Sequence, residues 1–403
     1  MNGIPLPRLL LLGLQHAFTM FGSVILVPLL TGLDISVALF MAGTTTLVFH
    51  FITKGRVPVF LGSSFAFIAP IVLVSKLYGI EYALGGLVAT TVVYITLAFI
   101  VSVIGAKRLV ALFPPVVTGP IIITIGLMLA PVAVSQATDN WFLAIVSFVV
   151  VGGVSMYAKG FWKLIPILCG LVVGYVAAVV TGNVDFSAMA ETTKIVGIPD
   201  FTLAKFNFGA MVIVIPVAVA TVVEHIGDMM TSSEVVGENF LENPGLSRTL
   251  LGDGMATAIS AMFGGPAMTT YSENTGVLAL TKVYNPVVMR VAACFAILLG
   301  FMPVVAAVIR TIPLGVIGGV SIILFGMIAS VGLRMLVEGK VDFKKSRNLF
   351  IAAVVMVLGL GDAVLKVRGI ELGGVGLAAL VGILLNKLLP ESADDGSGEV
   401  SES

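Results

Sequence analysis

Charge is what this sequence has least of. Of its 403 residues only 11% are Asp, Glu, Lys or Arg, against roughly 25% in soluble domains. The formal net charge is zero, so a nucleic-acid partner has no electrostatic support. There are only two cysteines, Cys169 and Cys294, both in apolar runs. That excludes a disulfide framework and predicts buried thiols. No H-E-x-x-H, G-x-S-x-G or G-x-x-x-x-G-K-[ST] stretch occurs, so the zinc-hydrolase, serine-hydrolase and P-loop classes lack their motifs. No metal or cofactor is expected. What the chain has instead is 58% hydrophobic residues, a mean hydropathy of +1.12 and 45 glycines. This is the composition of a polytopic membrane protein surrounded by lipid, with helices that approach closely or break.

Apolar windows long enough to cross about 30 Å of hydrocarbon run at 9–31, 36–53, 57–75, 83–104, 114–134, 141–157 and 163–181. After a more polar connection at 182–207, they resume at 208–229, 247–263, 265–281, 286–309, 312–333, 347–362 and 371–389. The first follows Arg8 without a small-residue cleavage site, and so reads as a span rather than a removed leader. With a cytoplasmic N-terminus, the inside loops collect Lys54, Arg56, Lys107, Arg108, Lys159, Lys163, Arg334, Lys340, Lys344, Lys345 and Arg347. That is the bias the positive-inside rule requires, and an even number of spans returns the C-terminus to the cytoplasm. The tail 391–403 is acidic and rich in Ser and Gly, and is expected to be disordered.

A faint repeat links the halves. Ser63-Ser64-Phe65-Ala66 parallels Thr269-Thr270-Tyr271-Ser272, and Pro114/Gly119 parallels Pro313/Gly318. Seven windows per half is odd, so the second copy is inverted in the membrane. Inverted repeats with paired broken segments point to a transporter whose site lies where the breaks meet. The expected fold is therefore all-α and polytopic, with fourteen segments in two inverted sevens. Its third and tenth segments are irregular. The halves are 1–181 and 208–390, joined by an extracellular connection at 182–207.

The most polar stretch at apparent membrane depth is Thr269 to Gly276, preceded by Gly264-Gly265-Pro266. Irregular backbone is tolerated there only when it is buried in protein or lines a cavity, and Glu273 is a functional candidate by default. A second cluster, Glu224-His225-Ile226-Gly227-Asp228, closes an apolar run. Helix started at Gly209 puts Glu224 about 22 Å along the segment. Glu224 and Asp228 then share a face while His225 points away. A carboxylate in a dry site suits a proton carrier; pairing with a buried base or a place at the membrane surface is the bland alternative. Gly62 to Phe67, between Pro58 and Pro70, frees backbone N–H groups and offers Phe65 as a stacking face. Gln15-His16 is a polar pair at depth that serves either a ligand or a helix–helix hydrogen bond. His50 is expected at the interface. Gly359-Leu360-Gly361-Asp362 fits the G-x-G-D pattern of intramembrane aspartyl proteases, but no second catalytic Asp is evident in an adjacent span.

These residues carry a resemblance. Leu14-Gln15-His16-Ala17-Phe18 through Val27-Pro28, Gly62 to Ile68, Glu224 to Asp228, Asn243-Pro244-Gly245-Leu246, Thr269 to Asn274, and Gly318-Gly319-Val320-Ser321 leading into Gly332-Leu333-Arg334 resemble the nucleobase–ascorbate transporter family, nearest its bacterial uracil permeases. The resemblance implies core and gate domains, third and tenth segments partly extended as short strands, and a proton-coupled symporter of uracil driven by the proton gradient in the cytoplasmic membrane. It places Glu224 and Glu273 on the base, with Phe65 and Tyr271 flanking the ring. Backbone amides near Phe65 and Ser272 would meet its carbonyls. Glu224 is tied to proton coupling, with Asp228 and His16 as further candidates. Two departures stand out: Ser272 where many uracil permeases have Gly, and Asp228 where some members have His. Symport of a wider set of bases, including xanthine or thymine, and a channel-like anion carrier of the same fold stay open, as does a homodimer.

Overall fold

Backbone amides inside hydrocarbon have no water to bond, so a chain this apolar must satisfy them within its own segments. The protein is accordingly mostly helical. The computed structural model describes residues 4–106, 108, 114–190, 194–361, 363–367 and 370–390. Lys107, Asp362 and the expected tail 391–403 lie outside the described residues.

In the first half α1 (Leu6–Thr31) and α2 (Ile35–Ile52) lead to strand β1 (Leu61–Ser63), a 3₁₀ turn (Phe65–Phe67) and the short helix α3 (Ile68–Leu77). Helices α4 (Ile80–Ile104), α5 (Pro115–Met128), α6 (Ala130–Asp139), α7 (Trp141–Tyr157) and α8 (Pro166–Val180) follow. The second half opens with α9 (Phe208–Val214), α10 (Val217–Val236) and α11 (Leu246–Met262), then strand β2 (Met268–Thr270) and the short helix α12 (Ser272–Thr281). It continues through α13 (Val287–Gly300), α14 (Pro303–Arg310), α15 (Leu314–Glu338) and α16 (Ser346–Leu360). A hairpin of β3 (Val364–Val367) and β4 (Ile370–Gly373), then α17 (Gly374–Leu388), complete it.

Each apolar window coincides with a helix, a strand–helix pair or a broken helix. Among the described residues, six helical stretches are long and apolar enough to cross a membrane, or seven if the α13–α14 pair is one span. The breaks follow proline: Pro131, Pro216 and Pro303 stand at the α5–α6, α9–α10 and α13–α14 junctions. Proline lacks the N–H and crowds the preceding turn, and the last of these junctions bends by 77°. The β3–β4 hairpin, with Val364 opposite Gly373, was not expected from the apolar windows.

One expectation needs correction. Cys294 is exposed and Cys169 only half-buried, because an apolar run does not distinguish the core from a lipid-facing flank. His50, in the last turn of α2, is buried against protein at 3% exposure. Its Nε2 lies 2.9 Å from the Val59 carbonyl, and Arg290 Nε donates to its Nδ1 at 3.4 Å.

The helices pack in corresponding pairs. α2 lies on α13 as α11 lies on α4; α7 packs on α8 as α16 packs on α17; and α5 crosses α15. Glycine permits the last crossing: a Cβ on Gly332 would sit 2.5 Å from the Gly119 carbonyl oxygen, so the two backbones touch. At the middle of the molecule β1 and β2 pair antiparallel, with Gly62 opposite Thr269. Each strand is also tied to the helix before it. Thr46 Oγ1 on α2 accepts the Leu61 N–H at 2.9 Å, and Thr257 Oγ1 on α11 accepts the Met268 N–H at 3.0 Å.

Candidate functional site

Small residues and prolines keep the strand crossing from becoming helix. Gly62 lies under the Tyr271 ring, so a Cβ there would overlap the aromatic carbons. Gly264 takes φ +95, a conformation that L side chains rarely adopt. Two further backbone bonds, Ser64 N–H to Ala267 O at 2.8 Å and Tyr271 N–H to Phe60 O at 3.0 Å, extend the ladder. Beyond it each chain turns into a ten-residue helix, α3 or α12.

Four of the expected residues meet on one side of this crossing. Glu224 and Asp228 on α10 are both half-buried and share a face as their spacing requires. Asp228 accepts from Thr270 Oγ1 at 2.7 Å and from Ser272 Oγ at 2.6 Å. Glu273, half-buried in the first turn of α12, accepts from Ser23 Oγ of α1 at 3.2 Å. An acidic side chain is favoured at that helix end. The carboxylates of Glu224, Asp228 and Glu273 are close enough for their charges to act on one another. Ser272 itself is exposed.

The remaining expected residues take different places. Phe65 is half-buried in the 3₁₀ turn after β1. Tyr271 is 3% exposed, and its hydroxyl donates to the Ser63 carbonyl at 2.9 Å, so it braces the crossing. His16 is buried on α1 and tied to Asn274 of α12. The Asn274 amide nitrogen lies 3.1 Å from His16 Nδ1 and 3.2 Å from its carbonyl. An amide nitrogen only donates, so Nδ1 accepts and the ring proton sits on Nε2.

Several residues at or behind the site were not singled out from sequence. Ser23, Thr46 and Thr257 are hydroxyls in apolar helices, Thr46 the last of three threonines in a row. Such hydroxyls usually bond their own preceding turn, as Thr45 does to Met41, so nothing in the sequence separates them. Asp253 of α11 faces His225 at 3.6 Å, both fully buried, and neither side chain has a hydrogen-bond partner. Beside them the Tyr94 and Thr221 hydroxyls lie 2.6 Å apart. Two clefts, of about 280 and 510 Å³, open away from the strand crossing. The smaller is lined by apolar residues such as Phe21 and Leu171, the larger by residues including Asp34, Asp200 and Arg310.

A helical bundle with large apolar side chains such as Phe99, Phe148 and Leu298 on its outside, and carboxylates gathered where two segments break, defines an integral membrane transporter rather than an enzyme. The fold is shared with the transmembrane domain of the cyanobacterial bicarbonate transporter BicA. The TM-score is 0.63 at 15% identity, over 94% of this chain and 96% of that one. It is also shared with SLC26A9, at a TM-score of 0.67 and 13% identity over 94% of this chain and 64% of that one. A family model described as "Permease family" matches residues 7–367, and the chain belongs to that family. It is 46% identical to the uracil permease of Bacillus caldolyticus, over 94% of this chain and 91% of the relative. It is 41% identical to the uracil permease of Bacillus subtilis, over 95% and 92%.

Proposed function

We propose that the protein is a proton-coupled importer of uracil in the cytoplasmic membrane, working by alternating access. The observation that carries this reading is the meeting of Glu224, Glu273 and the hydroxyl-bound Asp228 at the crossing of β1 and β2. Uracil offers two ring N–H groups, which carboxylates accept, and two carbonyls, which free backbone amides near Phe65 and Ser272 donate to. Phe65, half-buried beside the crossing, serves as a face for the ring. The relatives named uracil permeases, similar along almost the whole chain, support the same substrate.

Glu224 carries the coupled proton. It shares the α10 face with Asp228, whose two oxygens already hold Thr270 and Ser272, while no protein hydroxyl among the described residues is bonded to Glu224. Coupling is reciprocal: if the proton raises affinity for the base, the base raises affinity for the proton. Symport therefore requires binding to tighten as pH falls through the range where Glu224 titrates. The corresponding helix pairs and the two threonine-tied strands support fourteen crossing segments in two inverted sevens. In that arrangement the bodies carrying the strands move against those carrying α5 and α15, and both termini are cytoplasmic. Uptake of labelled uracil into proteoliposomes under an imposed inward proton gradient, competed with thymine, xanthine and hypoxanthine, tests the reading. Accumulation that ignores the gradient removes proton coupling, and absence of uracil uptake removes the substrate.

A further inference from the structure

We propose that Ser23 is a positioning residue for substrate binding, which fixes the Glu273 carboxylate where it receives a ring N–H of the base. This rests on the reading that the carboxylates at the strand crossing hold the base. Ser23 lies within α1 and is 1% exposed. A buried hydroxyl in a helix usually bonds the carbonyl one turn back. On this same helix Thr19 does so to Gln15 at 2.9 Å, and Thr31 to Val27 at 2.8 Å. Ser23 Oγ instead donates to Glu273 Oε1 at 3.2 Å, 250 positions later. Among the described residues it is the one side chain that donates to Glu273, whereas Asp228 has two such donors.

The neighbouring residue makes this turn of α1 an anchor. Pro28 stands inside the helix and has no N–H, so the Val24 carbonyl loses the partner it would find four residues on. Ser63 of β1 replaces that partner, its Oγ donating to the Val24 carbonyl at 3.1 Å. The Ser63 carbonyl in turn accepts the Tyr271 hydroxyl at 2.9 Å, and Tyr271 stands two residues before Glu273. A closed circuit results. It runs from α1 to β1, from β1 to Tyr271, along the chain to Glu273, and through Ser23 back to α1. Both breaks are thereby held to one buried turn of one helix. Ser23 is the member of the circuit that touches a carboxylate of the site. A glutamate side chain has many rotamers, and one whose carboxylate is already tied loses less freedom when the base arrives. The tie takes one lone pair and leaves acceptor capacity for a ring N–H.

The test is uracil affinity by calorimetry on the purified full-length protein, with the thermal midpoint measured alongside. The variants are Ser23→Ala, Ser23→Thr, Glu273→Gln and the double variant Ser23→Ala/Glu273→Gln. Thr31→Ala is the control, because its hydroxyl bonds only its own helix. Ser23→Ala should weaken uracil about tenfold, the scale of a hydrogen bond to a charged group. Ser23→Thr keeps the donor and should keep most of the affinity. Once Glu273 is Gln no carboxylate remains to be placed, so removing the Ser23 hydroxyl should then cost less than about threefold. Thr31→Ala should bind uracil like wild type. Unchanged affinity in Ser23→Ala overturns the proposal, as do equal losses from that change in the wild-type and Glu273→Gln backgrounds. So does Ser23→Thr binding as weakly as Ser23→Ala at an unaltered thermal midpoint, or Thr31→Ala losing as much as Ser23→Ala. A wild type that binds no uracil, or a Glu273→Gln variant that binds it like wild type, would instead overturn the reading of the site beneath it.

Discussion

At the first strand–helix junction β1 runs into α3 through Ser64, Phe65, Ala66 and Phe67, without one ionisable side chain. At the second, β2 runs into α12 through Tyr271, Ser272, Glu273 and Asn274. The backbones correspond: each strand gives an N–H to a threonine of the preceding helix and is followed by a ten-residue helix. The chemistry does not correspond. The first junction supplies apolar cover and an aromatic ring; the second supplies carboxylate and hydroxyls, and Glu224 and Asp228 of α10 gather beside it. Two matching strand–helix breaks meet face to face, but only one needs to carry charge. Burying charge is costly, so concentrating it where the groups share one opening limits that cost.

The comparison breaks most completely at Glu224. Glu224→Gln imitates the protonated side chain, so it should still bind uracil, with a flatter pH dependence between pH 5 and 8, yet fail to accumulate it. Normal uphill uptake by this variant would move the coupling to Glu273, Asp228 or His16. Next comes Glu273→Gln, which replaces an acceptor-only group by one that is half donor. Uracil affinity measured by calorimetry should fall by about 2 kcal/mol, the scale of a hydrogen bond to a charged group; unchanged affinity removes Glu273 from the site. The scaffold itself is probed by Gly62→Ala, whose new Cβ meets the Tyr271 ring. Overpacking of this kind costs roughly 1–3 kcal/mol, read as a lower thermal midpoint in detergent. The most symmetrical effect is expected from Thr46→Val and Thr257→Val. Each leaves one strand N–H without its acceptor, at about 1–3 kcal/mol for a buried donor. Similar losses in the two variants sharpen the correspondence of the junctions; a loss confined to one shows that only that strand depends on its tie.

Much of this is legible in the sequence alone. Gly264-Gly265-Pro266 and the Pro58 to Pro70 stretch marked the two breaks because proline and glycine act through the local backbone, whatever surrounds them. The i,i+4 spacing placed Glu224 and Asp228 on one face with His225 turned away, and His225 indeed faces Asp253 on the other side. Less legible were residues whose role depends on a distant partner. Nothing near Tyr271 in the chain tells that its ring packs over Gly62 and that its hydroxyl bonds Ser63, 208 positions earlier. Ser272 stands in the sequence only as a departure from Gly, with no sign that it gives its proton to Asp228.

By itself the sequence determined the membrane setting, the positions of the apolar segments and the types of side chain at the breaks. These follow from composition, from helical and strand periodicity, and from proline and glycine geometry, all local properties of the chain. Only the tertiary structure decided which flank of each helix meets protein and which meets lipid, as Cys294 and His50 show. It alone paired β1 with β2 across more than two hundred residues and chose, for each hydroxyl and carboxylate, the partner that sets its donor or acceptor role. Lipid and protein interior are equally apolar, and a hydrogen bond depends on separations of a few tenths of an ångström. Neither distinction is encoded in any stretch of chain taken alone.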